Sequence, residues 1–314
     1  MSSQKTNRRV MRFGIESSYN ADTLPDVMAA IQPASIEVTP LSGDDIQRSV
    51  IRPYYGNTTS LPGEKHMQVQ IAVEMVPPAT AGTAPPWGDL LKVCGFAETL
   101  VPADGDTPAQ VVYAPISDKE ESGRLYCHVD KNLHEGRGAR GTVQFALNAQ
   151  SVPTMTITLM ALLRPVADAQ LPTVDLTAWQ NPLAINSANT GLTVFGRDST
   201  PFSQFSLDMG VQTRHRTVVD ANDISINGRS PSGSMQIDDP GVAEVNFFQR
   251  ALSLEPGAIV FEHGTVAGKT IELSMPRVTI QSPSYADDGG DQMLTIPYTP
   301  EPIAGDDEVR IVCR

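Results

Sequence analysis

The sequence predicts a mainly β protein of β-sandwich or barrel-like class, built as a tandem duplication in which each domain carries one helix. First, 25 prolines and 24 glycines spread over 314 residues exclude long helices from most of the chain. Second, the segments between them alternate apolar and polar residues, as half-buried strands do. Third, six elements recur in the same order in the two halves of the chain.

The clearest predicted strand covers residues 66–75. Its apolar residues occupy every second position, so one face of the strand is buried and the other is polar. Three further runs alternate in the same way: Val143, Phe145 and Leu147; Met155, Ile157 and Leu159; and Ile271, Leu273 and Met275. Strands are therefore predicted in both halves.

Two segments show helical spacing instead of alternation. In residues 87–94 the apolar residues fall three and four positions apart, starting at Trp87. Residues 242–254 repeat this spacing through Val245, Phe248 and Leu252. The pattern predicts one main helix for each half.

The two halves share a first strand, a second strand after a long polar excursion, a helix and three further strands. Because residue identity between the halves is low, the repeated order carries the prediction. The paired segments are 35–41 with 205–209, the strands starting at 67 and 235, the two helices, 125–129 with 259–262, the strands starting at 142 and 270 after a glycine turn, and 155–162 with 293–298.

This repeat divides the chain into an N-terminal arm (1–34), a first domain (35–170), a connector (171–200) and a second domain (201–314). The arm is basic from Lys5 to Arg12, and it is expected to dock on a neighbouring subunit or to remain solvated. Trp179 in the connector is expected to pack on a domain, since a free linker seldom holds a tryptophan.

Charge and composition exclude several classes of protein. With 23 basic and 36 acidic side chains, the net charge is −13, which repels nucleic acid and also favours solubility. No apolar stretch approaches the roughly 20 residues of a membrane helix, and the start lacks the apolar segment of a secretory signal. We therefore expect no membrane anchor and a cytoplasmic location during synthesis. The three cysteines are expected to be buried thiols.

No catalytic motif is present. The segment 136–141 (GRGARG) matches a dinucleotide-binding pattern, but a predicted strand follows it instead of a helix, so we expect a hairpin turn. Cys127, His128, Asp130 and His134 are close in sequence, yet strand alternation separates the first two on opposite faces. We expect no enzyme activity, no cofactor and no metal.

Several segments together resemble the major tail tube proteins of long, non-contractile phage tails of the siphovirus type. The resemblance covers most of the chain and lies in SIEVTPLSGD (35–44), IRPYYG (51–56) after Arg48, PWGDLLKVCGF (86–96), VYAP (112–115), GARGTV (138–143), LTAWQNPL (176–183) and FSLDMG (205–210).

The resemblance implies six-fold or pseudo-six-fold rings that stack into a hollow tube, through which viral DNA leaves. If each chain supplies two tube domains, three chains close a ring. The implied partners are other copies of the chain, the tail tip, tape measure and tail terminator proteins, and viral DNA that passes without specific binding. The implied location is the virion tail, reached from the host cytoplasm. An acidic wall would then let DNA slide.

The long excursion of the first domain (44–65) is expected to contact the next ring. It is far longer than a usual hairpin loop, and it combines aromatic residues with arginine, as interfaces do. The alternative is a flap on its own domain. The second domain's excursion (210–234) has arginines but no tyrosine, so the two excursions are expected to bind the next ring with unequal strength. The predicted stacking residues are Arg48, Ile51, Arg52, Tyr54, Tyr55, Leu61, Arg214, Arg216 and Arg229.

The channel lining is expected on the polar faces of the tube strands, because their alternate neighbours are apolar and must face the core. The alternative is that these positions face another subunit or the outside. The predicted lining residues are Gln68, Gln70, Glu74 and Glu272.

Two other classes of protein remain compatible with the sequence. One is a different virion component, such as a tail terminator, tail tip or capsid decoration protein. The other is a hydrolase or carbohydrate-binding β protein whose site no motif encodes. Polymerisation into filaments of uniform width would distinguish a tube subunit from both.

Overall fold

The computed structural model describes residues 5, 7–105, 108–266 and 268–314, so residues 1–4 and 6 of the expected arm lie outside the described residues. The first part of the chain forms β1 (Arg9–Ile15), β2 (Ala29–Ile31), β3 (Pro33–Ser42), β4 (His66–Glu74), α1 (Gly88–Lys92), β5 (Phe96–Val101), β6 (Gln110–Pro115), β7 (Gly123–Val129), β8 (Asn132–Ala146), β9 (Thr154–Leu163) and β10 (Ala167–Asp168). The remainder forms β11 (Thr190–Val194), β12 (Phe202–Asp208), β13 (Val211–Val218), β14 (Ala221–Arg229), β15 (Ser232–Asp238), α2 (Phe247–Ser253), β16 (Gly257–His263), β17 (Ile271–Ile280), β18 (Ser284–Asp288), β19 (Asp291–Pro300) and β20 (Arg310–Cys313).

The first half forms an antiparallel sheet in the order β3-β4-β9-β8-β7-β1-β2. The predicted alternation decides which residues are inside: Met67, Val69, Ile71 and Val73 of β4 are all fully buried. Their cross-strand neighbours on β9, such as Ile157, are buried as well. This apolar face packs against α1 and forms the core of the first half.

The second half repeats this neighbour order. Its antiparallel strands run β12-β15-β19-β17-β16-β11, so each strand corresponds to one in the order β3-β4-β9-β8-β7-β1. After the last strand of each half, a short strand returns to the start of the long strand: β10 pairs with β8, and β20 with β17. The prediction of a mainly β fold is confirmed.

Two sheet junctions join the halves. At the first, β12 pairs with β15 on one edge and with β8 on the other, through Ser206–Asp208 opposite Gln144–Ala146. At the second, β20 lies between β17 and β6, a strand that follows α1 and has no counterpart after α2. The second half is thus joined to the first by continuous backbone hydrogen bonding.

Each half contains one helix, as predicted, although both are shorter than the apolar spacing indicated. Trp87, Leu90 and Leu91 are fully buried around α1, and the Trp87 indole donates to the Val76 carbonyl at 2.9 Å. Asn246 caps α2 by accepting a hydrogen bond from the Gln249 backbone N–H at 2.8 Å.

The prediction of a hairpin turn at residues 136–141 is wrong. These residues lie inside the 15-residue strand β8, and the turn between β7 and β8 falls at Asp130, which has φ 51°. Gly138 has φ +60° at a shift in the β8–β9 register, so its positive φ serves a β-bulge. The prediction that a strand follows the segment is confirmed, because β8 continues to Ala146.

The segments expected as arm and connector both supply strands. Residues 9–15 of the expected arm form β1, which pairs with β7 and buries Met11 and Phe13. In the expected connector, β11 pairs with β16 of the second half. Trp179 packs on the first half, where its indole N–H donates to the Ala30 carbonyl at 3.0 Å.

Candidate assembly surfaces

One polar face runs across both halves on the side opposite the core. Its rows follow the strand pairing, for example Gln70 of β4, Thr158 of β9 and Thr142 of β8. We call it the threonine-rich face, and it comprises Glu37, Gln68, Gln70, Glu74, Thr142, Gln144, Thr154, Thr156, Thr158, Ser206, Asp208 and Ser234. These side chains are half-buried or exposed.

Three of the four predicted lining residues lie on the threonine-rich face: Gln68, Gln70 and Glu74. Glu272 does not. It lies at the start of β17, where its carboxylate is 2.8 Å from the Arg314 guanidinium, which also contacts Glu262 at 2.8 Å. The structure thus separates Glu272 from the other three.

The threonine-rich face carries acidic but no free basic charge among the described residues. Glu37, Glu74 and Asp208 are its carboxylates. The nearest basic residue at the alternating polar positions of these strands is Arg140 of β8. Its guanidinium donates hydrogen bonds to the carbonyls of Ile224 at 3.1 Å and Glu120 at 2.9 Å. The polar small side chains and the negative charge give this face little affinity for a polyanion.

Several described strands pair along one edge only, among them β2, β5, β10 and β11 as well as β3 and β18. Within the part of the chain that the structure describes, β3 pairs only with β4, and β18 only with β19. At the edge of β3, the Ile36 carbonyl accepts a hydrogen bond from the Arg9 side chain. A groove of about 510 Å³ runs beside this edge. Unpaired strand edges are templates for pairing with another chain.

The first excursion (44–65) has little secondary structure and exposes apolar side chains. One bridge between Ile46 and Leu61 closes its base. Ile51 and Tyr55 are fully exposed, and Tyr54 is 64% exposed with the Arg52 guanidinium 5.9 Å from its ring centroid. All six predicted stacking residues of this excursion are therefore accessible.

The second excursion (210–234) is instead a regular hairpin, β13–β14, docked on the first half. The Tyr19 hydroxyl accepts a hydrogen bond from the Ile224 backbone N–H at 2.5 Å, and Arg140 stacks 5.1 Å from the Tyr19 ring centroid. Ile226 reaches Gly95, just beyond α1. Burial raises the pKa of Tyr19, which keeps this hydroxyl protonated.

The arginines predicted on the second excursion have different surroundings. Arg214 and Arg216 are exposed, and Arg216 pairs with Asp223 at 3.4 Å. Arg229 is mostly buried and is held by Glu308, by Asp306 at 2.5 Å and by the Ile116 carbonyl at 2.8 Å. It therefore joins the hairpin to both halves of its own chain.

The base of the first excursion meets the outer half of the β13–β14 hairpin at a pair of histidines. The rings of His66, at the start of β4, and His215, on β13, have centroids 4.9 Å apart. Burial and the neighbouring His215 lower the pKa of His66. Beside them, Asn222 donates to Glu64 at 3.2 Å.

The described residues hold no group of three or more His, Cys, Asp or Glu side chains that could bind a metal. The three cysteines are free and buried, and burial raises the pKa of Cys127 to about 12. No helix formed by the described residues is long and apolar enough to cross a bilayer.

Open strand edges, an exposed aromatic loop and a long polar face are features of the kind that self-assembling structural proteins present. The family model of the phage tail tube protein matches residues 6–302, so the chain belongs to the phage tail tube protein family. A search of curated proteins found no match. The family is a structural one that forms the tube of the virion tail, and it is not a known enzyme family.

Sequence analysis missed three contributors to these surfaces. The edge strand β18 (SYADD) shows no alternation of apolar and polar residues. Tyr19 and Arg140 hold the hairpin, but they lie far from it in sequence. Only a strand-pairing signal between β8 and β12 could have identified this side of the first domain as the docking surface.

Proposed function

We propose that three copies of this chain close a ring with pseudo-six-fold symmetry, and that such rings stack into the tube of a long, non-contractile tail. The observation that carries the proposal is the neighbour order of the strands, which is the same in both halves. Two equivalent domains per chain make three chains equivalent to six single-domain subunits.

The junction inside the chain supplies the template for the junction between chains. Within the chain, the first strand of the second half (β12) pairs with the last residues of β8. In the first half, one edge of β9 pairs with β8 alone. In the second half two strands share the corresponding role, because β17 pairs with one part of β19 and β18 pairs with another part. The open edge of β18 therefore corresponds to the part of β8 that holds β12, and β3 corresponds to β12. The same pairing repeated between copies joins β18 of one chain to β3 of the next.

The threonine-rich face then becomes the channel wall. A sheet that continues from domain to domain curves with one face inward, and the core occupies the other face. Its acidic and neutral side chains would let viral DNA slide without specific binding. The first excursion contacts another copy of the chain, and the open ends of the tube meet the tail tip, tape measure and tail terminator proteins after assembly in the host cytoplasm.

Hydrogen exchange tests the ring junction, with counting of chains by native mass spectrometry. We expect three chains per ring. Peptides covering β3 and β18 should gain amide protection on assembly, whereas β12, already paired on both edges, serves as an internal control and should change little. Six chains per ring, or unchanged exchange of β3 and β18 in assembled tubes, would contradict the proposal.

The channel wall is tested at Gln70, which is exposed on the threonine-rich face. In phage particles, Gln70→Lys should slow DNA ejection at low salt and recover at high salt, because lysines bind phosphate by screened attraction. Gln70→Glu is the matched control and should eject normally. Normal ejection by Gln70→Lys particles at low salt would place this residue outside the channel.

A further inference from the structure

We infer that the first excursion docks on the second domain of the neighbouring chain in the same ring, at the end of α2. This inference rests on the proposed ring and names a surface on each side. The two excursions connect corresponding strands, β3 to β4 and β12 to β15. The second excursion docks on the domain that precedes it, which is the first half of its own chain. By the same relation, the first excursion docks on the domain that precedes it in the ring, which belongs to another copy.

The C-terminal ends of α1 and α2 differ in burial, as expected if only the first domain is covered by an excursion of its own chain. After α1, Val93 and Cys94 are buried, and Ile226 of the docked hairpin lies beside Gly95. At the C-terminal end of α2, the corresponding surface is open: Leu252 in the last turn is 82% exposed, and Leu254 at the C-cap is 63% exposed. The second domain therefore lacks, in its own chain, the cover that the first domain receives.

Leu254 is also strained. It is the C-cap of α2 with φ 50°, a left-handed conformation that favours glycine and is rare for a bulky side chain. No described contact of Leu254 within the chain explains a leucine there, since its side chain is mostly in solvent. Strain of this kind persists where the side chain has a function, and an apolar contact with another chain supplies one.

The first excursion fits this surface in chemistry. Ile51, Tyr54 and Tyr55 are the exposed apolar residues that can cover two leucines. Arg48 and Arg52 are the only charged residues between positions 46 and 61. On the receiving side, Glu301 lies beside Thr279, the β17 residue that corresponds to Arg140 by strand register, and it pairs with Arg277 at 3.0 Å.

A disulfide trap tests the contact. Tubes of a Tyr55→Cys/Leu254→Cys variant, oxidised and run without reductant, should give covalent species of two and three chains and nothing larger. A bond within a three-chain ring closes after three. The native cysteines are buried and need no removal. The control is Tyr55→Cys/Val166→Cys, which places the second thiol on an exposed site of the first domain and should give no ladder.

The other outcomes are separable. A ladder ending at six chains would retain the docking within a ring but refute the three-chain ring. A ladder that continues beyond six would place the contact between rings, and tubes without cross-links would remove it; both overturn the inference. As a second measurement, Leu252→Ser/Leu254→Ser should give a folded chain, by circular dichroism, with at least a tenfold loss of assembled rings. Normal assembly by this variant would also overturn the inference.

Discussion

The two long excursions connect corresponding strands, but one is docked on its own chain and the other is exposed. The second excursion folds into the β13–β14 hairpin and finds Tyr19, Arg140 and Gly95 in its own chain. The first stays open and leaves Ile51 and Tyr55 fully exposed. One excursion has its partner within the chain, and we infer that the other finds its partner in a second copy.

The junctions between domains differ in the same sense. Inside the chain, the second domain is held by β12 against β8 and by β20 between β6 and β17. Among the described residues after α2 there is no counterpart of β6, so the proposed junction between chains would have one sheet pairing fewer. In the proposed ring, joining two domains in one chain would make alternate junctions permanent and leave the others to assembly.

The largest effect is expected from deleting residues 51–60, which tests the difference between the two excursions. We expect a folded, soluble chain that forms no tubes, because the excursion makes few contacts within its own chain and carries the apolar residues for the next one. Negative-stain microscopy and circular dichroism measure the two properties. Replacing Ile51, Tyr54 and Tyr55 with serine, at unchanged loop length, should have the same effect. Normal tubes from either variant would show that the excursion is dispensable.

Removing the Arg229 side chain should weaken the fold instead. Arg229→Ala leaves the buried Glu308 carboxylate, only 4% exposed, without its guanidinium partner. Breaking a buried pair from one side costs about 3 kcal/mol, and denaturant unfolding should show a loss of this size. The matched control is Arg216→Ala on the same hairpin, whose exposed pair with Asp223 should contribute about 0.5 kcal/mol or less. Equal effects of the two would mean that Arg229 does not join the halves.

The sequence predicts the strands well where burial alternates, as in β4 and β9, and it predicts the order of the repeated elements. Its failures have physical causes. A glycine with positive φ suits a hairpin turn or a β-bulge, so residues 136–141 were ambiguous. The basic residues of β1 indicated an arm, although Met11, Phe13 and Ile15 alternate as in a strand. The pairing of β8 with β12 joins residues about 60 positions apart, which local patterns do not specify.

The contact between the base of the first excursion and the β13–β14 hairpin should respond to pH. His66 has a lowered pKa, chiefly from burial, so the folded chain binds fewer protons there than the unfolded chain, whose histidines titrate near 6.5. The free energy of unfolding should therefore fall as the pH drops through 6.5 toward the lowered pKa of His66. His66→Gln should show a shallower fall between pH 7 and pH 5 than the unchanged chain. Parallel curves for the two would exclude His66 as a contributor.

The smallest effect is expected at Leu254 and has opposite signs for folding and for assembly. Glycine takes φ 50° without strain, so Leu254→Gly should raise the free energy of unfolding by about 1 kcal/mol, because the relieved backbone strain exceeds the added entropy of the unfolded chain. Little burial is lost in the isolated chain, because the leucine is 63% exposed. In the ring, however, the variant loses an apolar contact with the first excursion of the neighbour, so it should assemble less well than the less stable parent chain. Val242→Gly, another exposed apolar site of the second domain, should not strengthen folding. A Leu254→Gly chain that is both more stable and equally competent in assembly would show that the second domain's open helix end receives no partner, and that the two domains differ less than their excursions indicate.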